Sequence, residues 1–243
     1  MLILEREFSE GSVRMRAQEN HNFVPFKNRR DAGIRLAGQL LRYQDSPNLL
    51  VFGIPRGGVP VAYEIACRLE APLDVIIVRK LGVPDHEELA MGAIAYNGVA
   101  VFNDDIVRHV PQKMVKRVID KEQGRMKLYE QKYRGRRPFP SVEGATVILV
   151  DDGMATGASM SAGIQALRQL GPKAIIAAAP VTSREVCASL RSVADHVECG
   201  FVPQPFYGVG NWYEDFSQTT DEEVLALLWD CGRRALARNA KAN

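Results

Sequence analysis

Long apolar runs are missing from this sequence of 243 residues. The best of them, Val147–Val150 and Ala174–Val181, fall well short of the ~20 residues that a membrane-spanning helix requires. The opening stretch MLILEREFSE carries too short an apolar segment for a secretory signal. Cysteine is scarce and scattered: Cys67, Cys187, Cys199 and Cys231 contain no C-x-x-C pair. That spacing argues against a zinc ribbon or a disulfide scaffold and for four inert thiols in a reducing cytoplasm. No excess of one charge is present either. The 31 Lys and Arg residues against 29 Asp and Glu give a net charge of +2, which forces neither a nucleic-acid nor a membrane partner. Two nucleotide-binding fingerprints are absent: there is no Gly-Lys-Ser/Thr triplet, and no Gly-x-Gly-x-x-Gly follows an apolar run.

What is there is an ordinary globular composition, 46% hydrophobic and 25% charged, in a chain long enough to bury one core without staples. Residues 1–22 are polar without sustained period and read as a loose extension before a single domain over 23–243. Asp31 is placed to cap a helix carrying Ile34, Leu36, Ala37, Leu40 and Leu41. Leu49–Ile54 reads as a buried strand, Val59–Leu69 as a helix and Leu73–Val78 as a second strand. Ala93–Ala95 and Val99–Phe102, split by Asn97-Gly98, form a hairpin pattern. One long helix is expected over 105–133, then a connector over 134–144 containing two prolines. The alternation then resumes with strand Val147–Val150, helix Ser159–Leu170, strand Ala174–Ala178, a helix from Ser183, a strand near His196–Cys199 and a closing helix over Asp221–Leu236. Apolar strands alternating with helices predict an α/β fold: a doubly wound, mainly parallel sheet with flanking helices, a small hairpin and a C-terminal elaboration. Its ligands belong at the C-terminal strand edges.

The stretch with the most chemistry is Val147-Ile148-Leu149-Val150-Asp151-Asp152-Gly153-Met154-Ala155-Thr156-Gly157-Ala158-Ser159. Four β-formers deliver two adjacent carboxylates to a sheet edge, and a loop of small residues leads straight into a helix. Exposed amides in such a loop, together with the helix N-terminus, make a nest for an anion. Thr156 and Ser159 add hydroxyl donors. Asp151 and Asp152 repel that anion and suit sugar hydroxyls or a hydrated metal ion instead. One loop thus fits a phosphorylated sugar, phosphate at one end and diol at the other. The plainer alternative is a strand–turn–helix in which Asp-Asp-Gly is turn chemistry and a hydroxyl residue caps the helix.

This stretch resembles the 5-phosphoribosyl 1-pyrophosphate (PRPP) signature of type I phosphoribosyltransferases. Two further segments fall in that family's order: Gly53-Ile54-Pro55-Arg56-Gly57-Gly58 resembles its pyrophosphate loop, and Arg79-Lys80-Leu81-Gly82-Val83-Pro84-Asp85-His86-Glu87-Glu88 takes the place of its flexible catalytic loop. The likeness covers roughly 23–230 and is strongest toward a bacterial subgroup in which Pro205–Phe216 also matches. The resemblance implies an Mg²⁺-dependent transferase that releases pyrophosphate as a small, nucleobase-like acceptor takes the phosphoribosyl group. It places Asp151 and Asp152 on the ribose hydroxyls and, through water, on Mg²⁺. It places the 5′-phosphate in the loop Gly153, Met154, Ala155, Thr156, Gly157, Ala158 and Ser159, and pyrophosphate on Arg56, Gly57, Gly58 and Arg79. Arg56, Lys80 and Glu88 become candidate catalytic groups, with His86 and Glu87 in the same closing segment over 81–90, and a homodimer is the family tendency. One departure is Ala155: oxopurine-type transferases carry an aspartate there, whereas adenine- and uracil-type relatives have alanine.

Two features stand outside that assignment. Lys113, Arg117, Lys121 and Arg125 repeat every four residues and draw a basic stripe on one helix face. A solvated face explains it, and contact with RNA or an acidic partner is the alternative; such contact belongs to a second functional class, a PRPP-binding regulator with weak or no catalysis that contacts RNA through this helix. Tyr207, Trp212, Tyr213 and Phe216 cluster late in the chain, either as core or, for Tyr207 and Trp212, as a wall of the acceptor pocket. His21, His109 and His196 lack ligand spacing and read as structural.

Overall fold

The computed structural model describes residues 24–242; the extension expected over 1–22 lies outside them. In chain order come α1 (Arg29–Leu40), β1 (Leu50–Gly53), α2 (Gly58–Leu69), β2 (Leu73–Val75), β3 (Arg79–Val83), β4 (His86–Ile94), β5 (Ala100–Phe102), α3 (Asp104–Val107), α4 (Gln112–Arg134), β6 (Thr146–Val150), α5 (Ala158–Arg168), β7 (Ala174–Val181), α6 (Arg184–Leu190), β8 (His196–Phe201) and α7 (Asp221–Ala242). Five strands pair in parallel in the order β2-β1-β6-β7-β8, and β3-β4-β5 form a separate antiparallel sheet. The expected doubly wound α/β architecture is what the chain adopts.

Strand periodicity explains why helices must cover both faces. In β6, Ile148 and Val150 join a core with Leu36 and Leu40 of α1 and Val59 and Ile65 of α2. Their neighbours Val147 and Leu149 join a second core with Ile164 and Leu167 of α5. Successive side chains leave a strand on opposite faces, so a strand apolar at every position needs an apolar layer on each side.

Several local differences from the sequence expectations have simple causes. Asn28, not Asp31, caps α1, its side-chain oxygen accepting from the Asp31 amide at 3.0 Å. Asp31 instead turns back to accept from the Lys27 amide at 3.1 Å. The single helix expected over 105–133 is two, because Asn103 caps the short α3 and Pro111, which lacks an N–H, precedes α4. β2 stops at Val75, three residues before the expected end. The segment placed at the flexible loop of the family pattern is an antiparallel hairpin, β3 and β4, whose turn holds Asp85 at φ 66°. Cysteine needs the clearest correction: Cys187 of α6 and Cys199 of β8 form a disulfide. They lie 12 residues apart on consecutive elements and meet once α6 packs back on β8. Cys67 and Cys231 are free thiols. No helix among the described residues is long and apolar enough to cross a membrane.

Candidate functional site

Strand order reverses between β1 and β6, with β2 on one flank and β7 on the other. The helices that follow, α2 and α5, pack on opposite faces. A crevice therefore opens beyond the carboxyl ends of these two strands, the usual ligand position in an open α/β sheet. The Pro55–Gly58 turn leaves β1 and Asp151-Asp152 leaves β6 at that crevice, so the fold brings together two segments ninety-odd positions apart. The Pro55–Arg56 peptide is cis.

Glycine is required where the two segments meet. A Cβ on Gly57 would lie 2.0 Å from Asp152 Oδ2, and one on Gly58 would lie 2.6 Å from the Val150 carbonyl and 2.9 Å from Asp151 Cα. The turn thus packs directly on the acidic pair, closer than any side chain permits. The Gly58 amide is given to the Ile54 carbonyl at 3.0 Å. Arg56 is half-buried on this turn; its carbonyl accepts from the Val59 amide at 3.1 Å, while its side chain makes no hydrogen bond or ion pair among the described residues.

Asp151 Oδ1 accepts from the Asp152 amide at 2.9 Å, and the Asp151 amide donates to the Ala178 carbonyl at 3.2 Å. Burial pushes both carboxyls above the usual range. For Asp151 the adjacent Asp152 charge pushes the same way; for Asp152 the Arg29 guanidinium pulls back. Arg29 Nε lies 2.7 Å from Asp152 Oδ2. Its Nη1 donates to the Ser217 carbonyl at 2.6 Å, and its guanidinium sits 4.1 Å from the centroid of the Phe216 ring. The Tyr213 hydroxyl donates to the Asp152 carbonyl oxygen at 2.5 Å.

The small-residue loop divides in two. Met154 is buried and belongs to the sheet: its amide donates to the Val181 carbonyl at 3.0 Å, and its carbonyl accepts from Thr182 Oγ1 at 2.9 Å. The amides of Ala155, Thr156 and Gly157 meet no protein acceptor among the described residues. Gly157 takes the left-handed conformation, φ 72°, that turns the chain into α5. Thr156 Oγ1 accepts from the Ala158 amide at 3.4 Å, and Ser159 lies in the first turn of α5. These amides and the unsatisfied N–H groups of a helix start form an anion nest.

The hairpin's charges point to α4. Arg79 Nε donates to Glu122 Oε2 at 2.9 Å, and Glu87 Oε1 accepts from Lys121 Nζ at 3.2 Å. The Lys121 contact holds the Glu87 carboxyl below its usual range. Lys80 and His86 are exposed; the Glu88 side chain lies outside those described. Of the late aromatic cluster, Tyr207 is 75% exposed. Trp212 packs edge-on against Phe201 at 5.1 Å, in a small core with Phe26, Val181 and Tyr213. This cluster and the chain around Phe26 cover one side of the crevice through a parallel bridge, Phe26 to Tyr213.

Sequence reasoning missed Arg29 and Tyr213 as neighbours of the acidic pair. A signal existed for the first. Arg29 and Arg30 open α1, and cations are unfavourable at a helix N-terminus, so an arginine there is held by something other than its own helix.

Comparison with known proteins agrees with this geometry. Residues 22–195 match the family model described as phosphoribosyl transferase domain. Two curated relatives, "Putative phosphoribosyl transferase Rv0571c" and "Putative phosphoribosyl transferase MT0597", from two strains of Mycobacterium tuberculosis, are each 42% identical over 205 residues. The match takes in 84% of this chain but 46% of each relative, so the chain spans about half their length. The crystal structure of TT1426 from Thermus thermophilus is 40% identical, with a TM-score of 0.73 over 85% of this chain and 99% of that one.

Proposed function

The chain belongs to the phosphoribosyl transferase family, and on that premise we propose that it binds PRPP in the crevice between β1 and β6 and transfers the phosphoribosyl group to a small nitrogen nucleophile. The observation that carries the reading is the contact between Gly57 and the Asp152 carboxylate, which sets a cationic turn and a carboxylate pair on one crevice. In this reading the ribose hydroxyls donate to Asp151 and Asp152. The 5′-phosphate accepts from the amides of Ala155, Thr156 and Gly157 and from the Thr156 and Ser159 hydroxyls. Met154 shapes the loop rather than binding. Arg56, with the Gly57 amide, faces the pyrophosphate, and Arg79 and Lys80 add positive charge from the hairpin.

The acidic pair fits Mg²⁺. Among the described residues no group of three or more His, Cys, Asp and Glu could hold a metal, and Mg²⁺ commonly takes one or two carboxylates and completes its shell with water and substrate phosphates. Bound there, it would neutralise charge on the departing pyrophosphate. The bond from the anomeric carbon to the pyrophosphate oxygen breaks with its electron pair going to pyrophosphate, and a bond from the acceptor nitrogen forms. The acceptor's N–H proton leaves to a base, for which Glu88 is the candidate. Positioning and fixed charge supply the catalysis, with no covalent enzyme intermediate. Ala155 leaves the loop without a carboxylate for an oxopurine, so adenine- or uracil-like acceptors fit better.

Pyrophosphate release from Mg-PRPP across a panel of nucleobases tests the activity. Asp152→Asn should weaken PRPP binding by ~1–3 kcal/mol, the scale of a hydrogen bond to a charged group; unchanged calorimetric affinity in the folded variant would remove the acidic pair from the site. Binding without turnover for every acceptor would favour the regulator. The RNA part of that second reading has less support, because Lys121 and Arg125 of the basic stripe are already paired with Glu87 and Glu122. A homodimer belongs to the same proposal, and sedimentation tests it.

A further inference from the structure

Beside the crevice, β3, α4 and the start of α7 border an open cavity of about 520 Å³ lined by Arg79, Arg125, Leu128, Tyr129, Lys132 and Asp221. No residue of the turn 55–58 or the loop 151–159 lines it. Its cationic end is built, not incidental. Glu122 is only 5% exposed, and its two oxygens accept from Arg79 Nε at 2.9 Å and Arg125 Nη1 at 2.7 Å. One buried carboxylate thereby fixes two guanidiniums and leaves one positive charge uncompensated. Each guanidinium keeps further N–H groups, which suits an oxyanion. The Arg79 guanidinium also lies 5.8 Å from the centroid of the Tyr129 ring.

Apolar surface beside the guanidiniums comes from two consecutive residues of α4, Leu128 and Tyr129. Tyr129 is half-buried, and Leu128 beside it is 67% exposed. Asp221, which accepts from Lys132 Nζ and from the Tyr133 hydroxyl, offers a carboxylate at the edge. Phosphate donors at one end, a ring-sized apolar wall and a hydroxyl or amine acceptor between them match one ligand class. We propose that this cavity binds a nucleoside phosphate, its phosphate on Arg79 and Arg125 and its base against Tyr129 and Leu128. A nucleic-acid strand would instead need the whole stripe of α4, where Lys121 is already paired with Glu87.

Arg79 is the one lining residue that this cavity shares with the charges assigned above to PRPP; the binding proposal otherwise stands apart from that reading.

Calorimetric titration of AMP, GMP, CMP and UMP, with inorganic phosphate alongside, tests the proposal on the wild-type protein, on Asp151→Asn/Asp152→Asn and on Arg125→Gln and Leu128→Asp. At least one nucleotide should bind the acidic-pair variant within threefold of wild type and bind Arg125→Gln and Leu128→Asp at least tenfold more weakly. Inorganic phosphate should bind at least tenfold more weakly than that nucleotide. The proposal is overturned if no nucleotide binds, if binding disappears with the acidic pair, if both cavity variants bind normally, or if phosphate alone binds equally well. PRPP titrated into the same proteins reports the other site, so loss of that reading shows as absent PRPP binding with the cavity result intact.

Discussion

Arg29 Nε and Asp152 Oδ2 lie 2.7 Å apart, with side chains only 12% and 15% exposed. The first helix of the described chain is thereby tied to the carboxylate pair at the end of β6. Two groups this withdrawn from water are costly to separate, because the survivor keeps an uncompensated charge. Arg29→Gln should lower stability by about 3 kcal/mol in urea unfolding, the low end for a broken buried pair. Adding Asp152→Asn should recover part of that loss, since the pair acts as a unit. Simple additivity of the two substitutions would show that the contact contributes little.

Gly57→Ala tests the close approach of the turn after β1 to the acidic pair. The new methyl would overlap Asp152 Oδ2 and lie 3.1 Å from Arg29 Nε. We expect a stability loss of ~1–3 kcal/mol, as for overpacking, together with PRPP affinity reduced at least tenfold. A variant with wild-type affinity by calorimetry would mean that the turn can move off the acidic pair without consequence.

Asp221 should contribute to acid stability. Hydrogen bonds from Lys132 and then from the Tyr133 hydroxyl hold its carboxyl below the usual range. A depressed folded-state value means that the stabilisation is present above the unfolded carboxylate pKa, near 4, and is lost as pH falls through the folded value. Asp221→Asn should therefore cost about 1 kcal/mol at pH 7, and the difference from wild type should shrink below about pH 4. A gap unchanged from pH 7 to pH 2.5 would remove the charge from the explanation.

Glu88→Gln addresses proton transfer. If this carboxylate takes the acceptor's proton, turnover should fall at least tenfold while PRPP affinity stays within twofold, the pattern of an interaction made mainly in the transition state. Full turnover in the Glu87/Glu88 double variant would shift that duty away from the hairpin. Glu87 is the weaker candidate, because Lys121 already holds it.

The sheet was legible because its signal is local. Val147 to Val150 are apolar at every position, and only a strand covered on both faces needs that. The juxtaposed carboxylates and the small-residue loop between β6 and α5 were legible for the same reason, being contiguous. What escaped depended on packing between distant segments. Nothing in Asn-Arg-Arg-Asp names Asp152 as the partner of Arg29, and nothing near Met154 shows that its amide will be spent on Val181. The hairpin was misjudged because Arg79 to Glu88 is rich in charge, and its strand pairing comes from β4 extending back through Met91 and Ile94 into the core. The Cys187–Cys199 bridge likewise needs α6 folded over β8.

The Arg29 side chain reaches Ser217, 188 positions later in the chain, as well as Asp152. On a ribosome that delivers residues from the N-terminus, α1 leaves the tunnel long before either partner exists. The β1 turn and the acidic pair can meet once β6 has emerged, but the aromatic cover cannot close until nearly the whole chain has been released. Vectorial synthesis therefore finishes the half bearing the β1 turn and the loop after β6 first and the flank bearing Phe216 last. A nascent chain halted after β8 should hold an open crevice whose two aspartates still lack the Phe216–Ser217 clamp that steadies their arginine.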